Sequence, residues 1–261
     1  MLDRLLRRFR RATAPVTSQP TDLSVLVAQD GTPPLIRLGS AYGGWQIPAS
    51  GLGDGAVCLC AGAGEDISFD VALLTRWRAQ VHVLDPTPRA IAHVEGLIAA
   101  ARAGRPYPIN DQPGTAYALT ASDLERLHFH PIGLWNQDTT LRFHAPADPS
   151  HVSHSIVDLQ KSGAKGGFAA PVQRLETFMA AQGLGRLDLL KIDIEGAEYA
   201  VIADMLASGI RPGLVLIEFD EGNHPTASGG HARIRDCLQS LRGKGYRLVG
   251  IEGWNATLAR A

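Results

Sequence analysis

The chain has 261 residues, of which 45% are hydrophobic and 20% charged, with a formal net charge of -1. That balance suits one large α/β domain with a substantial core, and its near-neutrality gives no support to a nucleic-acid binder. No apolar run approaches the ~20 residues that span a bilayer, and the cysteines Cys58, Cys60 and Cys237 lack a metal-type spacing, which suits a reducing, cytoplasmic setting.

Residues 1–34 stand apart from the rest. "MLDRLLRRFRR" sets Arg4, Arg7, Arg8, Arg10 and Arg11 against Asp3, with Leu2, Leu5, Leu6 and Phe9 on one helical stripe. The pattern predicts a short basic amphipathic helix, open to peripheral contact with an anionic membrane or an acidic partner, or a frayed chain end. "ATAPVTSQPTD" reads as a linker, and residues 35–261 as the folded domain.

From Ala56 onward strand and helix patterns alternate, which predicts a mostly parallel sheet of about seven strands with helices on both faces. "AVCLCAG" is a first strand and "ISFDVALLTRW" the helix after it. "AQVHVLD" is a second strand, followed by the helix of "RAIAHVEGLIAAARAG". The turn-rich "RPYPINDQPGTAYAL" leads to a third strand in "LERLHFHPIGLW" and a short one in "TTLRFHAP". A long polar stretch from Asp148 to Ala170 reads as a binding loop. Then come the helix of "LETFMAAQG", the strand "LDLLKID", a helix from Ala197 ended by Gly209, the strand "GLVLIEFD", the helix of "ARIRDCLQSLRGKG", and a closing hairpin in "YRLVGIEG" and "NATLARA".

Two strand ends carry the candidate chemistry. The first runs into "AGAGEDISFD", where Gly62 and Gly64 allow a tight turn and close approach to a ligand. Asp85 ends the second strand, 21 residues after Gly64, where an acid can accept hydrogen bonds from ribose hydroxyls. The third glycine of a dinucleotide fingerprint is replaced by Ile67, and Glu65 and Asp66 put negative charge where a pyrophosphate would want none. Acids there favour S-adenosylmethionine, whose ammonium and sulfonium carry no phosphate. At the second end, the apolar strand Leu189, Leu190, Ile192 and Ile194 stops in Asp193, Glu195 and Glu198; in an open α/β sheet, ligands bind at that edge. Asp193 is the stronger functional candidate. Glu198 is equally well read as a first-turn acid favoured by the helix dipole.

With these residues in view the chain resembles the FkbM family of S-adenosylmethionine-dependent methyltransferases. The likeness rests on "GAGEDISFD", on "LDPTPRA", on "DLLKIDIEGAE" with "LVLIEF" following, and on the upstream "LGSAYGGWQIP". It implies a class I methyltransferase, Rossmann-like fold with its last strand antiparallel, and methyl transfer to a hydroxyl, often on a sugar or other small-molecule or glycan acceptor. By position, Gly62, Gly64 and Glu65 would line the methionine part of the cofactor, Asp85 would hold the ribose, Pro86 and Thr87 would border the adenosine, and Asp193 and Glu195 would face the reacting centre.

Oxygen methylation requires alignment of oxygen, methyl carbon and sulfur and removal of a hydroxyl proton. Asp193 or Glu195 is a candidate base, and so is His224, which follows the strand "LVLIEFD". His154, in the polar loop, is a candidate substrate contact; His128 and His130 read as packed strand residues. Tyr42 and Trp45 flank a glycine turn and offer an aromatic wall to a sugar ring, the plain alternative being a core tryptophan. A divalent metal on Asp193, Glu195 and Glu218 is a less favoured variant. The rival readings are a nicotinamide-dependent oxidoreductase and a noncatalytic adenosyl-ligand-binding protein.

Overall fold

A computed structural model describes residues 33–110, 112–143, 167–194, 196–223 and 230–261. All but the last two residues of the basic helix and linker read in residues 1–34, and most of the loop from Asp148 to Ala170, lie outside them. The chain opens with a hairpin, β1 (Leu35–Leu38) and β2 (Trp45–Pro48). It continues through β3 (Val57–Ala61), α1 (Ser68–Trp77), β4 (Gln80–Leu84), α2 (Pro88–Arg102) and β5 (Leu127–His130). An excursion follows, with β6 (Gly133–Leu134), β7 (Thr139–Phe143) and β8 (Phe168–Gln173). The alternation then resumes with α3 (Leu175–Ala181), β9 (Leu189–Ile192), α4 (Glu198–Ala207), β10 (Leu214–Glu218), α5 (Asp220–Asn223), α6 (Gly230–Arg242), β11 (Tyr246–Glu252) and β12 (Asn255–Arg260).

Seven of these strands form one sheet in the order β11-β12-β10-β9-β3-β4-β5. It is mixed: β10, β9, β3, β4 and β5 pair in parallel, whereas β12 runs antiparallel to both β10 and β11. The order places β3 beside β9, so the strand ends at Ala61 and Ile192 meet in the middle of the carboxyl edge.

Side-chain alternation along the strands builds two cores. Cys58 and Cys60 of β3, Val81 and Val83 of β4, and Leu214 and Leu216 of β10 face α1, α2 and the β1–β2 hairpin. Leu59, Ala61, Leu84, Leu190, Ile192, Val215 and Ile217 face α3, α4 and α6. Many of these side chains are fully buried, and each such aliphatic contributes roughly 1.5–3 kcal/mol. A strand wetted on neither face explains the near-continuous apolar runs in the sequence. Both Cys58 and Cys60 are buried free thiols, held protonated by that burial.

Two small sheets go beyond the expected single one. The hairpin packs on the terminal strands, where Thr257 Oγ1 donates to Gln46 O at 2.6 Å. The excursion forms a three-stranded sheet, β6-β8-β7. Its strand β8 lies where the sequence reads as loop up to Ala170. Among the described residues no helix is long and apolar enough to cross a membrane.

Candidate active site

The stretch from Gly62 to Asp66 leaves β3 at the carboxyl edge. Gly62 has φ +90, and a Cβ there would lie 1.8 Å from the carbonyl oxygen of Asp193. Its glycine is required by the approach of two strand ends. Gly64, at φ +52, differs, because a Cβ there would meet nothing within 4 Å. Open space thus lies beside Gly64.

Asp85 follows β4 and clasps this loop. Its Oδ2 accepts from the amides of Ala63 at 2.9 Å and Gly64 at 3.0 Å, and its Oδ1 from the amide of Thr87 at 2.8 Å. A carboxylate offers about four acceptor positions, so three are used by backbone and about one is left for a ligand. Thr87 is buried beside it. Pro86 packs under β6, 3.6 Å from the position of a Cβ on Gly133. Glu65 ion-pairs with Arg89 in the first turn of α2, and its carbonyl accepts from Asn110 Nδ2 at 3.2 Å.

Asp66, which the sequence showed only as loop charge, is buried and structural. Its Oδ2 accepts from Ser40 Oγ at 2.5 Å and its Oδ1 from the amide of Ser68 at 2.8 Å. Ser40 Oγ in turn accepts from the amides of Tyr42 and Gly43 at 3.1 and 2.7 Å, while Arg37 donates to the carbonyls of Ser40 and Ala41. The turn carrying Tyr42 is therefore bolted to the loop after β3. Tyr42 is 70% exposed at that rim. Trp45 is only 3% exposed and belongs to the core, so it cannot form an aromatic wall with Tyr42 for a sugar ring.

Trp45 instead meets Lys191, which strand alternation places on the same side as Asp193 but to which no sequence pattern assigned a role. Lys191 lies on β9, 4% exposed, with its ammonium 5.7 Å from the Trp45 ring centroid. Its Nζ donates to Gly62 O at 2.7 Å and pairs with Asp193 Oδ2 at 3.2 Å. Burial works against the charge, but Asp193, Asp70 and Cys60 outweigh it and raise the Lys191 pKa. Asp70, in the second half of "DISFD", is likewise buried on α1. Burial pushes its pKa up to about 6 against the pull of Lys191, and its Oδ1 has no hydrogen-bond partner. An alternating acid-base-acid cluster underlies the strand ends.

Glu198 opens α4 with its side chain turned inward, 1% exposed. Its Oε1 accepts from the amide of Gly196 at 2.9 Å, locking the turn in which Gly196 takes φ +95. Oε2 is buried without a hydrogen-bond partner, and burial pushes the pKa up to about 7. A first-turn acid facing solvent would show neither feature. Asp193 is more open, its side chain 31% exposed at the end of β9. Glu195, His154 and His224 lie outside the described residues. His128 stacks on His82 with ring centroids 4.7 Å apart, and His82 Nδ1 stands 3.1 Å from His130 Nε2. All three imidazoles titrate low, chiefly through burial, His82 at about 4. Among the described residues no group of three His, Cys, Asp or Glu side chains is arranged to hold a metal ion.

Gly62, Gly64, Glu65, Asp85 and Asp193 thus converge on adjoining strand ends, although 131 positions separate Gly62 from Asp193. Over residues 60–248 the chain matches the family model described as the methyltransferase FkbM domain, and this span contains all five. The chain belongs to the FkbM methyltransferase family. No curated protein matches it. Within this FkbM methyltransferase domain, the clasped loop after β3 and the acidic end of β9 are the two walls of the candidate site.

Proposed function

We propose that the chain is an S-adenosylmethionine-dependent O-methyltransferase acting on a hydroxyl of a sugar or other small-molecule or glycan acceptor, within a class I, Rossmann-like fold. The observation that carries this reading is the open space beside Gly64 in a loop clasped by Asp85, with Asp193 at the end of the adjoining strand. That donor set fits the proposed cofactor. Acids and backbone groups can receive an ammonium and ribose hydroxyls, whereas Arg89 is paired to Glu65, and Lys191 to Asp193 and Gly62 O, rather than offered to a phosphate.

Gly64 and Glu65 would hold the methionine end, the remaining acceptor position of Asp85 a ribose hydroxyl, and Pro86 and Thr87 the adenosine border. When bound, the cofactor supplies a methyl group already activated by a sulfonium. The chain's own residues align the acceptor and handle its proton. Asp193 is exposed enough to accept a hydrogen bond from the acceptor hydroxyl and so orient it or take its proton. Glu195 and His224 are proposed for the same duty. Tyr42 would present its ring to the acceptor at the rim, a face suited to a sugar. His154, in the polar stretch after β7 in the sequence, is a further proposed contact.

Calorimetric titration with S-adenosylmethionine and with S-adenosylhomocysteine tests the cofactor. Micromolar binding of both is expected, followed by transfer of labelled methyl to a hydroxyl acceptor in a sugar and small-molecule panel. Tyr42→Ala should leave cofactor affinity within about twofold while raising the acceptor KM. Folded protein that binds neither ligand would overturn the reading and favour a nicotinamide cofactor or another adenosyl ligand.

A further inference from the structure

Lys191 has no direct part in the chemistry just described, yet it touches both walls of the site. A buried lysine is costly unless its charge is answered, and its partners lie on three different elements. Gly62 O belongs to the loop after β3, Asp193 to the end of β9, and Trp45 to the hairpin. The ammonium also lies in the field of Asp70 on α1. A solvated surface lysine would make none of these contacts at 4% exposure. A lysine needed only for packing would be replaceable by an apolar side chain of equal length.

We propose that Lys191 is a positioning residue for methyl transfer: its ammonium ties the Gly62 carbonyl to the Asp193 carboxylate, fixing the gap between the two strand ends that receive the cofactor. The role of that gap rests on the function proposed above; the coupling between Lys191 and Asp193 does not. Through Gly62, the lysine sets where Gly64 and its neighbours stand. Through Asp193, it holds one carboxylate oxygen and leaves the other to the acceptor. Asp70 keeps the cluster from carrying an unanswered positive charge when Asp193 turns toward a ligand.

The test is a double-variant cycle on the full chain with Lys191→Met, Asp193→Asn and both together, read by calorimetric S-adenosylmethionine binding and by urea unfolding. Lys191 is buried and Asp193 partly exposed, so removing one partner leaves the other without its ion pair, whereas removing both leaves neither charge unanswered by the other. Lys191→Met should weaken cofactor binding by at least tenfold and lower the urea midpoint. The double variant should bind within about threefold of Asp193→Asn alone and unfold at a higher midpoint than Lys191→Met. A packing role gives no such recovery. Losses that multiply in the double variant, or Lys191→Met binding within twofold of the unaltered chain, would overturn the proposal. If Lys191→Met does not fold, a folded double variant supports it and an unfolded one overturns it. Should the unaltered chain bind no S-adenosylmethionine, the cofactor reading fails while the urea arm still decides the coupling.

Discussion

Replacing Gly62 or Gly64 with alanine separates two requirements that the motif presents as one. At Gly62 the added Cβ would sit 1.8 Å from Asp193 O, and ordinary contact begins at 3.4 Å, so the strand ends must part by about 1.6 Å. Overpacking of that kind costs about 1–3 kcal/mol, and the φ of +90 adds about 1–2 kcal/mol for a residue with a Cβ. Moving the strand ends also pulls Gly62 O from Lys191. Gly62→Ala should therefore lose about 3–4 kcal/mol of unfolding free energy in a urea titration followed by far-UV circular dichroism. Gly64→Ala carries only the left-handed strain at φ +52, about 1 kcal/mol, since its Cβ meets nothing. It should fold normally and lose cofactor affinity by at least tenfold. Equal destabilisation by the two substitutions, or a Gly62→Ala variant within about 1 kcal/mol of the unaltered chain, would refute the close-approach reasoning.

Asp85→Ala strands three backbone donors, two of them in the glycine loop, so it should cost about 3 kcal/mol by urea unfolding as well as cofactor binding; loss of binding with full stability would contradict the clasp. Glu198 carries a folded pKa of about 7 against an ordinary 4.5, so the folded state binds the extra proton between those values and stability falls as pH rises through that window. Glu198→Gln keeps an acceptor for Gly196 and should be about 2–3 kcal/mol more stable than the unaltered chain at pH 8, with the gain shrinking toward pH 4.5. For His82 the sign is opposite: its folded pKa of about 4 lies below the ordinary 6.5, so the unfolded state takes up the proton first and stability falls as pH drops from 6.5 toward 4. His82→Leu should move the acid unfolding midpoint to lower pH, and an unmoved midpoint would remove His82 from acid unfolding.

Much of the fold was legible because its strands are covered on both faces and its helices carry one apolar stripe. The run from Leu189 to Ile192 and the shift to helical spacing after Ala197 are local signals, and β9 and α4 follow them. The excursion was harder to read. β8 begins among glycines and contains Pro171, which argues against a strand by local chemistry. It forms because β7 pairs along its length, while β6 reaches only Val172 and Gln173 and leaves Pro171 at an open edge.

The site divides in the same way. Gly62, Gly64, Asp85 and Asp193 were visible as strand-end residues, since a glycine or an acid that interrupts an apolar run stands out within a few positions. Trp45 reads from the sequence as a ligand wall with a core side chain as the alternative, and the alternative holds, because a tryptophan beside a glycine turn has the same local pattern in either state. Glu198 divides at its backbone, whose first-turn position was readable, and its side chain, whose inward turn was not.

By itself, then, the sequence determined the alternation of strands and helices, the family, and the two strand ends that carry acids and glycines. The sheet order alone decided that β3 lies beside β9, and from that follow the approach of Gly62 to Asp193 and the seat of Lys191 between them. Periodicity reports neighbours three or four positions apart on a helix and two on a strand. Lys191 and Gly62 are 129 positions apart, and only the packed sheet brings the ammonium to the carbonyl, with Asp70 and Trp45 arriving from α1 and the hairpin.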